Sequence, residues 1–307
     1  MTHWLRIGTR GSPLALAQTG EVRRAIAAAN GVAETDIEIV AIKTSGDIIQ
    51  DRALSEAGGK GLFTKELDIA MLEGRIDVAV HSSKDLPTVL PPGIVIAGYP
   101  RREDPRDALI CRNALAISDL RERARVGTAS LRRAAQLKRL RPDFRIELLR
   151  GNVETRLRKI DEGAIDATLL ALAGLRRLGL AHHAAAVLDI DDFLPAVGQG
   201  AVGITARADD ARARTALALV LDADTGHAVE AERAFLRVLD GSCRTPIAGL
   251  ARVEAGRVKF RGMVLRPDGS DCLEIADEDS VSAATAMGQR AGEALRGKMP
   301  TDFMTTA

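Results

Sequence analysis

Apolar positions in the first hundred residues switch between the period of a strand and the period of a helix. Residues 4–9 (WLRIGT) read as a strand, and Arg10-Gly11-Ser12-Pro13 turns into a helix through about Ala29. Ser12 is placed to cap that helix and Pro13 occupies its first position, where no backbone N–H is needed. Ile37–Ile42 reads as a second strand. Residues 44–62 carry no period and close in the glycine-rich Gly58-Gly59-Lys60-Gly61; a helix from about Thr64 to Leu72 follows. Ile76, Val78 and Val80 then alternate as a short buried strand. It is expected to stop in the polar cluster His81-Ser82-Ser83-Lys84-Asp85, before Pro87 forbids a simple continuation of the sheet.

Near residue 100 the pattern changes. Residues 101–107 form a charged connector into a strand at Ala108–Cys111, and a second β/α run begins at Arg125. After the apolar, glycine-rich stretch 194–204 come helices near 209–221 and from about Gly226 to Leu239. The last part reads as an α+β module, with strand-like pieces at 247–253 and 257–265 and a helix near 281–296.

Two short echoes relate the halves. Arg6-Ile7-Gly8-Thr9, followed by Ser12 and Gln18, matches Arg125-Val126-Gly127-Thr128, followed by Ser130 and Gln136, with one residue deleted. Gly74-Arg75-Ile76-Asp77-Val78 likewise matches Gly163-Ala164-Ile165-Asp166-Ala167. The expected fold class is therefore α/β, with two similar lobes, a cleft between them suited to a ligand, and a smaller C-terminal α+β domain.

Composition narrows the chemistry. The 307 residues carry a net charge of +1, so no global field points to nucleic acid or membrane. Between Arg121 and Lys159, however, 13 basic residues face 4 acidic ones. Aromatic residues make up only 3% of the chain, too few for base stacking, and no helix-turn-helix, zinc-finger or phosphate-loop pattern is present. No secretory signal and no long apolar span are seen, and the three cysteines, Cys111, Cys243 and Cys272, lack disulfide or zinc spacing. A cytoplasmic protein without a metal site is expected.

Arginine placement is the most informative pattern. Arg10, Arg132, Arg133, Arg150 and Arg156 all fall at or near strand-to-helix junctions. Helix starts favour anions through free N–H groups and the dipole, and guanidinium adds bidentate recognition of carboxylate or phosphate. Arginines of this kind can simply cover surface; five at equivalent junctions point instead to a ligand with several negative charges. Asp85 is the candidate acid/base, with Lys84 to hold its charge or that of a substrate. His81 is read as a hydrogen-bonded structural residue, and Phe63 as core packing or a stacking platform. Cys243, in the small-residue loop Asp240-Gly241-Ser242-Cys243-Arg244, is the cysteine most open to ionisation, beside Arg244.

The motifs TRGSPLALAQ, GGKGLFTKEL, DVAVHSSKDLPT, REDPRDALI, GTASLRRAAQL, LRGNVETRLRK, LAGLRRLG, LPAVGQGAVGI and AERAFLRVLDGSCRTPI occur in this order from about residue 6 to 250. Together they resemble the hydroxymethylbilane synthase (porphobilinogen deaminase) family of tetrapyrrole and heme biosynthesis. The resemblance implies two lobes of the periplasmic-binding-protein type, 1–100 plus 199–221 and 101–198, and a third domain, 222–307, carrying a cofactor cysteine. It implies a dipyrromethane cofactor bound by a thioether to Cys243, onto which four porphobilinogens are added head to tail with loss of ammonia before water releases the tetrapyrrole. Asp85 and Lys84 become the implied catalytic pair. Ser12, Lys84, Asp85, Thr128, Ser130, Arg132, Arg133 and Gly151 are implied around the cofactor, and Arg10, Ser12, Lys60, Phe63, Arg150, Arg156 and Gln199 around the substrate. Partners are expected to be porphobilinogen and the growing polypyrrole, with no nucleic acid and no membrane, and the family implies a monomer. Departures are small: Gly11 and Ala129 stand where other small or polar residues are common, and Gly-Ser-Cys replaces Gly-Gly-Cys. The rivals are a non-catalytic two-lobed binder of an organic polyanion and an RNA-binding protein using the 121–159 basic stretch.

Overall fold

The first helix starts where its sequence dictates. Ser12 accepts a hydrogen bond from the Ala15 N–H, Pro13 opens the helix, and Gly31 ends it at a φ of 65°. In the computed structural model of the protein, residues 3–48, 61–239 and 245–303 are described.

In chain order the elements are β1 (Leu5–Arg10), α1 (Pro13–Asn30), β2 (Ile37–Ile42), α2 (Ser45–Ile48), α3 (Lys65–Leu72), β3 (Val78–Ser82) and β4 (Ile94–Gly98). Then come β5 (Asp107–Cys111), β6 (Arg125–Gly127), α4 (Leu131–Leu140), β7 (Arg145–Glu147), α5 (Val153–Asp161), β8 (Ala167–Ala171), α6 (Leu172–Arg177) and β9 (Ala186–Val187). The chain ends with β10 (Val202–Arg207), α7 (Ala211–Leu217), α8 (Ala223–Val238), β11 (Ile247–Glu254), β12 (Arg257–Leu265), β13 (Cys272–Ser280) and α9 (Ala284–Lys298). Among the described residues no helix is long and apolar enough to cross a membrane.

These elements gather into two compact units: the described residues of 3–48, 61–103 and 201–226 in one, and those of 104–200, 227–239 and 245–303 in the other. The first unit holds one sheet in the order β2-β1-β3-β10-β4. Strands β1, β2 and β3 are parallel, and β10 runs antiparallel to both its neighbours. The second unit repeats this arrangement as β7-β6-β8-β5-β9, with β5 the antiparallel strand, and adds a separate antiparallel sheet, β11-β12-β13. In each five-stranded sheet the antiparallel strand is the first one the chain enters after leaving the other unit.

The sequence echoes have a physical cause. Asp77 accepts the Arg6 backbone N–H at 2.8 Å and the Arg6 guanidinium at 2.8 Å, while the Asp77 N–H donates to the Arg6 carbonyl. Asp166 and Arg125 repeat the clamp: Asp166 accepts the Arg125 N–H at 2.7 Å, and its own N–H donates to the Arg125 carbonyl. Each clamp joins a parallel strand to its neighbour at the sheet edge opposite the candidate site, and both carboxyls are held below the ordinary carboxylate range. Burial opposes that lowering and the arginine contacts outweigh it.

The cores follow the apolar stripes. Val22, Ile26 and Ala27 of α1 pack on Leu5, Ile7, Val78 and Val80. In the C-terminal sheet Phe260 meets Phe235 of α8 with ring centroids 4.9 Å apart. Helices α8 and α9 approach so closely that a Cβ on Gly288 would lie 2.0 Å from the Ala231 carbonyl oxygen.

Three differences from the sequence reading stand out. Strand β3 continues through His81 and Ser82, because β10 supplies ladder partners as far as Ser82. Strand β5 starts one residue earlier, at a buried Asp107. Strand β13, which the reading passed over, pairs with all of β12. Its Leu273 and Ile275 pack into the core, whereas Glu274, Asp277, Glu278 and Asp279 give the segment the look of a loop.

Candidate functional site

In the first unit β1 and β3 are parallel neighbours, so both end at the same edge of the sheet. That edge is where open α/β sheets present their chemistry. Strand β1 delivers Arg10 there, and the short turn Ser83–Asp85 after β3 delivers Lys84 and Asp85. The Arg10 Nη1 lies 3.7 Å from the Asp85 Oδ2, and each side chain is only partly exposed (22% and 30%). Lys84 is exposed next to it.

Arg10 is held from two further sides. It pairs with Asp47, its Nε lying 3.2 Å from Oδ1, and stacks 4.1 Å above the ring centroid of Phe63. Phe63 fits there because residue 46 is glycine: a Cβ would meet the ring at 2.3 Å. Burial would push the Asp47 carboxyl up, but bonds from Arg10 and Thr44 hold it below its ordinary value. Phe63 therefore supports a cation as well as packing.

His81 is buried in β3 and shares a 3.0 Å hydrogen bond with Thr205. Burial, then the Arg10 charge, lowers its pKa to about 4, so it is neutral at ordinary pH, as its structural reading requires. Ser12 is occupied as the cap of α1, and Ser82 donates to Gln18. Lys60 lies outside the described residues.

In the second unit the candidate residues cluster at the starts of α4 and α5. Ser130 caps α4 by accepting the Arg133 N–H, and its own N–H donates to the Thr128 hydroxyl at 3.1 Å. Asn152 caps α5 through the Thr155 N–H. Before it, Gly151 adopts a φ of 114° with the Thr155 side chain 2.8 Å from where a Cβ would stand, so only glycine fits. Arg156 is half-buried, donates from Nε to the Gly151 carbonyl and has no ion pair among the described residues. Burial and then the charges of Arg133 and Arg150 make its own charge harder to hold. This concentration of positive charge favours a bound anion.

Arg132, Arg133 and Gln199 meet in the interior. All three are buried and converge on Asp107, which is fully inaccessible. Asp107 accepts from Arg132 Nη2 at 2.8 Å, Arg133 Nη2 at 2.6 Å, Arg133 Nε at 3.1 Å and Gln199 Nε2 at 3.1 Å. Arg132 also donates to the Leu194 carbonyl, Arg133 to that of Leu169, and Gln199 to that of Pro105. Burial pushes the Asp107 carboxyl up, yet the two guanidinium charges bring it down to about 2. Asp107 was not singled out in the sequence. Its signal was there: an aspartate directly ahead of the apolar run Ala108–Cys111, at a position a buried strand rarely grants an acid. Asp47, in Thr44-Ser45-Gly46-Asp47, was missed likewise. Cys243 lies outside the described residues, and the two described cysteines, Cys111 and Cys272, are half-buried with pKa values raised chiefly by burial. Among the described residues no group of His, Cys, Asp and Glu is placed to hold a metal ion.

The geometry pairs a carboxylate with cations at one sheet edge and concentrates arginines at two helix starts. The chain matches the family model described as "Porphobilinogen deaminase, dipyromethane cofactor binding domain" over residues 5–215, and "Porphobilinogen deaminase, C-terminal domain" over 227–297. It is 54% identical over 299 residues to the porphobilinogen deaminase of Nitrobacter winogradskyi, covering 97% of this chain and 95% of that protein. To that of Paracoccus denitrificans it is 52% identical, covering 97% and 96%. A solved nutrient-binding protein from Burkholderia cenocepacia bound to methionine is 14% identical, with 70% of this chain and 91% of that one covered at a TM-score of 0.43. With both family models matched in order and half of all residues identical over nearly the full length of two relatives, the chain belongs to the porphobilinogen deaminase family.

Proposed function

We propose that this chain is a hydroxymethylbilane synthase: a transferase that condenses four porphobilinogens head to tail on a dipyrromethane primer and hydrolyses the product to the linear tetrapyrrole. The observation that carries the chemistry is Asp85, 3.7 Å from Arg10 at the shared end of β1 and β3. Each cycle breaks a carbon–nitrogen bond, releasing ammonia, and forms a carbon–carbon bond with loss of one proton. Asp85 handles the proton on the departing nitrogen and, as a carboxylate, stabilises the positive charge that develops on the adjacent carbon. Arg10 holds that carboxylate in place, and Lys84 adds a second cation beside it.

The residues fit a dipyrrole that carries four carboxylates. Arg132 Nε is buried with no hydrogen-bond partner among the described residues, and Arg156 is half-buried without an ion pair among them. A polyanion supplies what such donors lack. When bound, the dipyrromethane supplies the fixed pyrrole end from which the chain grows. In this reading Cys243 holds it by a thioether, and Ser12, Lys84, Asp85, Thr128, Ser130, Arg132, Arg133 and Gly151 surround it. Arg10, Ser12, Lys60, Phe63, Arg150, Arg156 and Gln199 bind substrate. The division into 1–100 plus 199–221, 101–198 and 222–307, a monomeric state and a cytoplasmic location belong to the same proposal; the family and the chain's composition support them.

The test is incubation of purified protein with porphobilinogen, alongside the intact mass of denatured wild-type and Cys243→Ala protein. The expected result is four ammonia per tetrapyrrole and a dipyrrole adduct only when Cys243 is present. An unmodified mass with no ammonia released would leave a two-lobed anion binder.

A further inference from the structure

The Asp107 node holds a charge imbalance that packing alone does not require. Two guanidiniums, both less than a tenth exposed, share one carboxylate. Every ordinary role for a buried ion pair would be met by one of them. Both arginines sit in the first turn of α4, where a helix for its own stability prefers acids. Each is fixed by a second contact on another segment. Arg132 reaches the Leu194 carbonyl and lies 5.6 Å from the Phe193 ring centroid, and Arg133 reaches the Leu169 carbonyl at the end of β8. Gln199 supplies the fourth bond to the carboxylate from the segment leading to β10. The assembly sets two guanidinium charges against one carboxylate and retains a buried donor, Arg132 Nε, without a partner among the described residues.

We propose that Asp107 is a positioning residue for carboxylate binding: it anchors Arg132 and Arg133 in one orientation and leaves their net positive charge for an anionic ligand. This rests on the reading above, in which those arginines bind the carboxylates of the dipyrromethane. Asp107 touches no ligand itself. Its carboxylate cancels one of the two charges, which lets the guanidiniums lie side by side, and its two oxygens set their planes. Without it the pair would repel, and each would turn towards water or a carbonyl. A fork whose orientation is lost binds a carboxylate far less well than one held ready.

The role predicts a defect in cofactor loading that a merely structural role would not give. Asp107→Asn keeps the shape and one acceptor oxygen but removes the charge. Intact mass of the folded, gel-filtered variant should show the dipyrrole adduct in at most about a tenth of the fraction seen in wild type, by analogy with the loss of partners that orient a ligand-binding group. Only folded protein is weighed, so a preparation that folds in part still gives the answer. If no folded fraction is recovered, Asp107→Glu, which keeps the charge but displaces it by one methylene, is measured in the same way. Folded variant that carries the adduct as fully as wild type would make Asp107 a purely structural residue and overturn the proposal. Wild-type protein that carries no adduct and fails to turn over porphobilinogen would overturn the proposed function instead, so the two failures are distinct.

Discussion

Replacing Asp85 by asparagine isolates the charge at the centre of the proposed chemistry. The side chain keeps its shape, and Arg10 keeps its pairing with Asp47 and its seat on Phe63. The lost Arg10 contact is 3.7 Å long and both partners are partly exposed, so the cost to folding is about 1 kcal/mol or less. The cost to catalysis is larger. A carboxylate about 4 Å from a developing cation contributes about 332/(20 × 4), or roughly 4 kcal/mol, at the effective dielectric of a site near the surface. At about 1.4 kcal/mol per tenfold in rate, that is close to three orders of magnitude. The asparagine dipole restores part of it, so kcat should fall about 100- to 1000-fold. The assay is steady-state ammonia release from porphobilinogen, with the intact mass verifying that the cofactor is retained and a melting curve verifying the fold. A kcat within threefold of wild type, in folded and loaded protein, would remove Asp85 from the chemistry.

Two further changes probe the scaffold. Gly288→Ala should destabilise the second unit by about 2 kcal/mol or more, because overpacking against the Ala231 carbonyl outweighs the roughly 1 kcal/mol gained in helix propensity; a rise in urea midpoint would show that α8 and α9 are not in close contact there. His81 predicts a pH dependence. Its pKa falls from 6.5 to about 4 on folding, so its contribution is intact above pH 6.5 and is lost as pH drops towards 4, where the unfolded chain takes the proton first. Between pH 7.5 and 5 this amounts to about 2 kcal/mol. The His81→Gln variant should lose that slope in urea titrations at the two pH values, and an undiminished slope would place the titrating group elsewhere.

Much of the fold was legible along the chain because its signals are local. A serine cap followed by proline starts α1, and the alternation of Ile76, Val78 and Val80 marks β3. The paired echoes were legible for a tertiary reason: Arg6 with Asp77, and Arg125 with Asp166, close the same clamp in two sheets of the same strand order. Strand β13 was missed because four of its nine residues are acidic, and only pairing with β12 and packing of Leu273 and Ile275 make it a strand.

The sequence by itself determined which chemical groups sit at the strand-to-helix junctions, since helix starts and strand ends are set by caps, prolines and apolar period. It could not determine which of those groups remain available. Arg10, Arg132, Arg133 and Arg156 look alike in sequence, but one pairs with Asp47 and Asp85, two are buried on Asp107, and one has no acid beside it among the described residues. Asp107 lies 25 residues from Arg132 and 92 from Gln199, so only folding brings them within bonding distance. A local pattern places a charge on the chain; the carboxylate that balances it, and so the charge left for a ligand, is decided by contacts distant in sequence.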